Sequence, residues 1–381
     1  MKRLMALVLA SALVLAVGCG GSKAGGGAGG TLKVGIIAPM TGDVKTFGES
    51  TKNGAMLALE QAGNKAGDIK IEAIVGDDRN DPTEGVNVAT KFITQDGVKA
   101  IIGSVSSKVS IPISEVANAN KVVMVTGTST NTKVTVDDKG NVKPYIFRAC
   151  FIDPFQGQVG AKFALNNLKV KSAAVLYDKG NDYTVGLAEE FKKNFEKGGG
   201  KVVAMETYGK DDTDFSAVLT KVAAAKPEML YLPDYYNKVS LIAKQAKSKG
   251  LNVPMMGGDG WDSADLDYAT LDGQYFTNHY SEQDTRPEVK KFVESYKAKY
   301  GSVPDALAAL AFDATTLMIE AVKKANSTDT AKIQAAMKAL KDVTTVSGKV
   351  SFDAQNNPIK SAAILKVKAD KKYEFVTTVA P

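Results

Sequence analysis

From residue 32 onward, short runs rich in valine and isoleucine alternate with segments long enough to form amphipathic helices. The runs at 32–38, 100–102 and 122–125 are almost entirely apolar, and helix-length segments separate them. Strands that are apolar on both faces must be covered on both faces, as in a parallel sheet packed between helices. Right-handed crossovers are the usual connection between such strands. The pattern therefore predicts an α/β fold with doubly wound parallel sheets.

The same alternation restarts after residue 148. Further strand-like runs occur at 173–177, 201–207, 229–232 and 255–256, with helix-like segments between them. Three helical segments and a strand-rich tail then follow, at 287–300, 305–325, 330–340 and 348–378. A body of about 350 residues exceeds what one hydrophobic core usually holds. Two α/β lobes in series are the simplest arrangement.

The first thirty residues have the composition of an export signal and a tether. Met1-Lys2-Arg3 precede an apolar stretch at 4–17, which is shorter than the roughly 20 residues of a membrane-spanning helix. The sequence LAVGC that ends at Cys19 resembles a bacterial lipobox. We therefore expect a lipoprotein signal peptide at 1–18, and a lipidated Cys19 with a flexible glycine-rich tether at 19–30. The alternative is that Cys19 is incidental and cleavage occurs nearby.

Charge, cysteine and histidine content exclude several kinds of site. The formal net charge of +6 falls to +4 once Lys2 and Arg3 are removed, and no basic block points to nucleic acid. With Cys19 assigned to lipid, Cys150 has no partner for an internal disulfide. His279 is the only histidine, which excludes a multi-histidine metal site. We expect no cofactor and no metal.

Polar and aromatic residues follow the predicted strands, where ligands bind in α/β sheets. In the first lobe these are neutral donors at 104–107 and 126–130, which suit a carboxylate. In the second lobe, residues 182–183, 233–236 and 257–261 supply acids and aromatic rings, which suit an ammonium group and an apolar body. Together they describe a site for a zwitterion. Taken singly, each has an ordinary explanation as a helix cap, a turn former or a packing residue.

These segments resemble those of the periplasmic leucine/isoleucine/valine-binding family. The similarity covers the body from residue 32 to about 367, with VGIIAPMTG at 34–42, DDRNDP at 77–82, IGSVSS at 102–107, DY at 182–183 and GGDG at 257–260. It implies a type I periplasmic binding fold, whose two lobes are joined by a three-crossing hinge. The crossings are expected near Ala149, Thr277 and Phe352. The N-terminal lobe would comprise 31–148 plus 278–351, and the C-terminal lobe 149–277 plus 352–381.

The resemblance also implies roles for residues of the site. The expected groups for the ligand carboxylate are Val105, Ser106, Ser107, Thr128 and Thr130. Asp259 and Tyr183 would bind the ligand ammonium, and Phe47, Tyr235 and Trp261 would surround its side chain. Two departures from the family pattern stand out. Asp259 is one methylene shorter than the glutamate often found there, and Asn80 and Ser106 stand where some relatives have a disulfide.

The resemblance implies a monomeric substrate-binding lipoprotein of an ABC importer, exported to the periplasm or cell surface and held at the membrane only by its lipid. It would bind a branched-chain or related aliphatic amino acid and deliver it to a permease in the inner membrane. The alternatives are a sensor that docks to a chemoreceptor or regulator, and a receptor for an amide or an aromatic acid. The chain lacks the glycine-rich dinucleotide and phosphate motifs and the serine elbow of common enzymes, so catalysis is not expected.

Overall fold

The computed structural model describes residues 30–380, in which two β-sheets are each covered by helices. The strands are β1 Thr31–Ala38, β2 Lys65–Ala66, β3 Ile69–Asp77, β4 Ala100–Gly103, β5 Val123–Thr126, β6 Ile146–Arg148, β7 Ser172–Asp178, β8 Lys201–Tyr208, β9 Met229–Tyr231, β10 Met255–Gly257, β11 Tyr275–Asn278, β12 Val343–Thr345, β13 Gly348–Val350, β14 Ala362–Lys368 and β15 Lys372–Val379. The helices are α1 Lys45–Gln61, α2 Pro82–Thr94, α3 Ser107–Ala119, α4 Asp153–Asn166, α5 Asp182–Lys197, α6 Ser216–Ala224, α7 Tyr236–Ser248, α8 Pro287–Tyr300, α9 Ala306–Ala325 and α10 Thr330–Lys338. The predicted signal peptide, lipidated Cys19 and most of the tether lie outside the described residues.

The first sheet has the strand order β2-β3-β1-β4-β5-β6. Its strands run parallel except for the short β2, and β1 pairs with both β3 and β4. Its central strands are buried along most of their length because helices cover both faces. The polar segments that follow β1, β4 and β5 therefore meet at one edge of the sheet.

The second sheet has the order β15-β14-β11-β10-β9-β7-β8. Strands β7 to β11 are parallel, whereas β14 and β15 add to the β11 edge in antiparallel orientation. The chain returns from β11 to the first sheet before it adds these last two strands. Its helices α9 and α10 share one apolar core with β1, β4 and β5. The structure thus has the expected two-lobe α/β architecture.

Close helix packing brings α9 against α1. A methyl group at Gly54 of α1 would lie 2.0 Å from the carbonyl oxygen of Ala308 in α9, so only a glycine allows this approach. The contact fixes the first turn of α9 beside α1. Both helices present residues to the space between the lobes.

Buried polar groups connect the segments that pass between the sheets. The Lys360 ammonium donates to the carbonyl oxygen of Ala149 at 2.8 Å and also to Ser347 Oγ, which in turn bonds to Asp313. Burial lowers the pKa of Lys360 to about 8. Arg148 is fully buried and donates to the carbonyl oxygens of residues 129 and 131. The bond from Lys360 to Ala149 joins the first and third segments that pass between the sheets, whereas the Arg148 bonds hold the end of β6 to the segment after β5.

Candidate functional site

A small cavity lies between the two lobes, at the carboxyl ends of both sets of parallel strands. It is lined from the first lobe by Phe47, Val105, Ser107, Thr128 and Leu307, and from the second by Tyr183, Tyr235, Asp259 and Gly260. Little free space remains between these side chains. Seven of the predicted ligand-binding residues line this cavity.

The loop from β4 to α3 forms the polar wall of the first lobe. Thr128 Oγ1 donates to the carbonyl oxygen of Val105 at 2.9 Å, so the segment after β5 holds the segment after β4. Ser107 Oγ accepts the backbone N–H of Asn131 at 3.2 Å. Its own O–H can therefore donate into the cavity. Ser107 is also the first residue of α3, where the helix carries unpaired N–H groups and partial positive charge.

Asp259 is the acidic group of the second lobe, and three side chains orient it. Its Oδ1 accepts hydrogen bonds from Tyr183 Oη and Gln156 Nε2, each at 2.9 Å. Its Oδ2 lies 3.0 Å from Nε2 of His279. Burial and the nearby Asp259 charge raise the pKa of Tyr183 well above its ordinary value, so its hydroxyl stays a donor. Asp259 as a whole residue is 6 % exposed, and a bound cation would compensate the charge of its carboxylate.

Aromatic rings enclose the remaining side of the cavity. Tyr183 and Tyr235 stack with centroids 5.1 Å apart and nearly parallel planes. The Phe47 ring makes edge-to-face contacts with Tyr235 and Tyr236, with ring centroids 5.7 and 5.0 Å apart. Both contacts cross between the lobes. Leu307 completes the apolar wall from α9. The lining therefore suits an apolar group of limited size.

Three of the predicted site residues do not line the cavity. Trp261 is fully buried in the second lobe because its indole N–H donates to the carbonyl oxygen of Leu232 at 3.0 Å. Ser106 Oγ donates to Asn80 Oδ1 at 2.7 Å, so its side chain neither faces the cavity nor caps α3. Thr130 is buried behind the cavity near Asp153, whose pKa burial raises to about 8.

Four residues of the site were missed by sequence reasoning. Leu307 and Gly260 line the cavity, and Gln156 and His279 orient Asp259 from behind. His279 directly follows β11, so its place after a parallel strand was a usable signal. Leu307 and Gln156 come from helices whose inward faces carry no motif.

Hydrogen bonds between the lobes flank the cavity on both sides. On one side, Asn131 Nδ2 donates to the carbonyl oxygen of Asp182 at 2.8 Å. On the other, Thr46 Oγ1 and Ser263 Oγ lie 3.1 Å apart, and Tyr236 Oη donates to the carbonyl oxygen of Asp43 at 3.3 Å. The structure is therefore a closed form, in which the lobes touch around the site.

Within residues 30–380, no group of three or more histidine, cysteine, aspartate or glutamate side chains is arranged to hold a metal ion. In the same part of the chain, no helix combines the length and the apolar composition needed to cross a membrane.

Comparisons with known proteins agree with this architecture. The family model described as periplasmic binding protein matches residues 31–372. The Leu/Ile/Val-binding protein homolog 3 of Brucella melitensis is 34% identical over 84% of this chain and 87% of its own. The crystal structure of the leucine-binding protein LivK from Thermotoga maritima superposes with a TM-score of 0.87 at 36% identity, covering 92% of this chain and 99% of its own.

A more distant structure is that of an ABC-transporter solute-binding protein from R. palustris in complex with benzoate. It has a TM-score of 0.83 at 25% identity, covering 92% of this chain and 97% of its own. These relatives are binding proteins rather than enzymes, and their family implies export to the periplasm. The fold is that of type I periplasmic binding proteins, and its neighbours support a substrate-binding role in ABC transport. The chain belongs to the periplasmic binding protein family.

Proposed function

We propose that this protein captures an aliphatic amino acid between its lobes and delivers it to an ABC permease. The observation that carries the proposal is that Ser107 and Asp259, from different lobes, line one cavity. A hydroxyl donor and a helix N-terminus suit the ligand carboxylate, whereas a buried carboxylate suits its ammonium group. Each lobe alone offers only half of these partners. Binding then favours the closed form, because only that form makes both sets of contacts.

The proposed ligand has a small, branched aliphatic side chain. Phe47, Leu307 and Tyr235 supply an apolar wall for such a side chain. The names of the Brucella and Thermotoga relatives, which refer to leucine, isoleucine and valine, support the same class. Val105, Thr128 and the first turn of α3 would bind the carboxylate with Ser107, and Tyr183 would support Asp259 at the ammonium.

An aromatic acid is the second candidate, because aromatic rings line the cavity and the R. palustris protein was crystallised with benzoate. Asp259 argues against it. Benzoate has no amine, so it would leave the buried carboxylate without a counter-charge, which costs several kcal/mol. An amino acid provides that charge.

The same proposal extends to the opening of the lobes, the attachment to the membrane and the transport partner. The lobes, 31–148 with 278–351 and 149–277 with 352–381, would open about the three connecting segments. Cys19 would carry the lipid that keeps the protein beside the membrane as a monomer, and the closed form would dock to the permease. A deletion strain should lose uptake of the bound amino acid. Unchanged uptake with altered taxis would favour the sensor instead.

Native mass spectrometry followed by calorimetry tests the ligand. The purified protein should retain a small amino acid. After refolding without ligand, it should bind L-leucine, L-isoleucine or L-valine more tightly than L-phenylalanine, L-glutamine or benzoate. Tighter binding of benzoate than of every amino acid would contradict the proposal.

A further inference from the structure

Asp262 belongs to the second lobe by its place in the chain, yet it bonds to the first. Its Oδ2 accepts the backbone N–H of Ala306, the first residue of α9, at 2.8 Å. The same oxygen accepts Asn278 Nδ2, also at 2.8 Å. The residue is 3 % exposed. A buried carboxylate therefore spans the boundary between the lobes only three residues after Asp259.

The helix that Asp262 contacts already has a capping residue of its own. Asp305 Oδ1 accepts the backbone N–H of Ala308 at 2.8 Å, and Ser50 of α1 donates to Asp305 Oδ2 at 2.5 Å. The first turn of a helix has several N–H groups without intrahelical partners. These groups can therefore donate hydrogen bonds to more than one carboxylate. Here one carboxylate comes from each lobe.

This first turn also forms part of the ligand cavity. Leu307 follows Ala306 and lines the apolar wall. The pair Thr46 and Ser263 crosses between the lobes beside the same loop. The bond from Ala306 to Asp262 is therefore one of the contacts between the lobes in this closed form, next to the residue that lines the cavity.

We propose that Asp262 is a positioning residue that fastens the second lobe to the first turn of α9 on closure and so holds Leu307 against the bound ligand. The proposal rests on the proposed function, since it assumes that the lobes close on a ligand. Asp262 would therefore contribute to the affinity for the ligand without touching the ligand itself.

Neighbouring charges make this contact sensitive to pH. Asp305 faces Asp262 across the lobe boundary, Asp259 lies on its own loop, and the hydroxyls of Tyr268, Tyr280 and Tyr373 surround it. Basic and acidic side chains both line the adjoining groove, namely those of Lys297, Lys371, Lys372, Glu282 and Asp370. Burial and then the Asp305 charge raise the pKa of Asp262 to about 7, and burial raises that of Asp305 as well.

The direction in which affinity changes with pH follows from the pKa of Asp262, which is raised in the closed form. In an open form Asp262 is hydrated and separated from Asp305, so its pKa returns toward the ordinary 3.8. Closure therefore takes up a proton between about pH 4 and pH 7. Affinity should be highest on the acid side of this range and should fall as the pH rises through 7.

Calorimetry with L-leucine at pH 6, 7 and 8, in buffers of different ionisation enthalpy, tests the proposal. The wild-type protein should take up about half a proton on binding at pH 7, and its affinity should fall about tenfold from pH 6 to pH 8. D262N, which keeps an acceptor oxygen but cannot ionise, should bind with little pH dependence. D262A should bind about tenfold more weakly at pH 6. The exposed Asp265 of the same loop provides the control D265N, which should match the wild type.

The outcomes separate this inference from the proposed function. If the wild-type protein does not bind L-leucine but binds another compound of the panel, the same comparison is made with that compound. Hydrogen exchange of the first turn of α9 in the ligand-bound, closed protein adds a measurement that does not depend on the affinity, and D262A should increase exchange at the 306 amide. Proton uptake in D262N equal to that of the wild type, or exchange unchanged in D262A, would overturn the inference.

Discussion

Nε2 of His279 lies 3.0 Å from Oδ2 of Asp259, and the histidine ring stacks on Phe151 with centroids 3.7 Å apart. Burial lowers the pKa of His279, so the ring is neutral near pH 7 and Nε2–H donates to the carboxylate. Phe151 lies in the first segment between the sheets, and His279 directly follows β11. The acidic group of the cavity is thus attached to the connecting segments about which the lobes would open.

Replacing Asp259 should abolish amino-acid binding while the fold remains. Asp259→Ala leaves the ligand ammonium in a closed site without a counter-charge, which costs several kcal/mol and should lower the affinity at least a hundredfold. Asp259→Asn keeps the shape and should show a comparable loss, because the charge is what binds the ammonium. Calorimetry measures the affinity, and circular dichroism checks the fold. Micromolar affinity in either variant would identify another group as the ammonium partner.

The role of His279 can be tested by separating its hydrogen bond from the space that its ring fills. His279→Gln can still donate to Asp259 and should bind the amino acid within a few-fold of wild type. His279→Leu removes the donor and should weaken binding about tenfold. Equal affinity in the two variants would show that the hydrogen bond does not position Asp259.

The same histidine predicts a pH dependence of stability. Its pKa is lower in the folded chain than the ordinary 6.5, so the unfolded chain binds a proton more readily. The stability from neutral His279 is complete above pH 6.5 and is lost as the pH falls below that value. Urea unfolding between pH 5 and pH 8 should show a shallower acid decline in His279→Gln than in the wild type.

Neighbouring serines provide a matched pair for the carboxylate side of the cavity. Ser107→Ala removes a hydroxyl that can donate to a charged group, and should weaken binding by about ten- to a hundredfold. Ser106→Ala instead breaks the buried bond to Asn80 and should cost about 1–2 kcal/mol of stability without changing the affinity. We therefore expect calorimetry to show a loss of affinity only in Ser107→Ala, and urea unfolding to show the larger loss of stability in Ser106→Ala. A loss of affinity in Ser106→Ala equal to that in Ser107→Ala would contradict the assignment.

The fold and the centre of the site could be predicted because both depend on local pattern. Alternating apolar runs indicated the sheets, and the rule that ligands bind after parallel strands indicated Ser107 and Asp259. The family resemblance supplied the pairing of the lobes. At the two positions where the resemblance implied a disulfide in some relatives, Ser106 Oγ donates to Asn80 Oδ1.

The residues that could not be predicted depend on side-chain direction. Trp261 lies in the same segment after β10 as Asp259, two residues further on, but its indole turns toward the carbonyl oxygen of Leu232 and not toward the cavity. Leu307 reaches the cavity only because α9 packs on α1, a contact between segments about 250 residues apart. Neither the direction of the Trp261 indole nor the position of Leu307 can be inferred from the neighbouring sequence. A single sequence does not indicate which face of a helix packs on a segment far away in the chain.

Gly48 links the packing of α1 to the ligand cavity. A methyl group at this position would lie 2.0 Å from the carbonyl oxygen of Pro39, which is backbone and cannot move aside like a side chain. Gly48→Ala must therefore shift the start of α1 and displace Phe47 from the wall of the cavity. We expect a loss of about 1–3 kcal/mol in the free energy of unfolding, together with weaker amino-acid binding.

Gly160 provides the matched control for this substitution, because it also lies within a helix, α4, but has room for a methyl group. Its nearest neighbouring atom would be 3.6 Å from the new carbon, an ordinary van der Waals distance. Gly160→Ala should raise the free energy of unfolding by about 0.5–1 kcal/mol, because alanine favours the helix more than glycine does, and should leave binding unchanged. Urea unfolding and calorimetry on both variants provide the test. If Gly48→Ala were as stable as Gly160→Ala and bound the amino acid equally well, the start of α1 would not be fixed by the segment after β1, and Phe47 would owe its position to another contact.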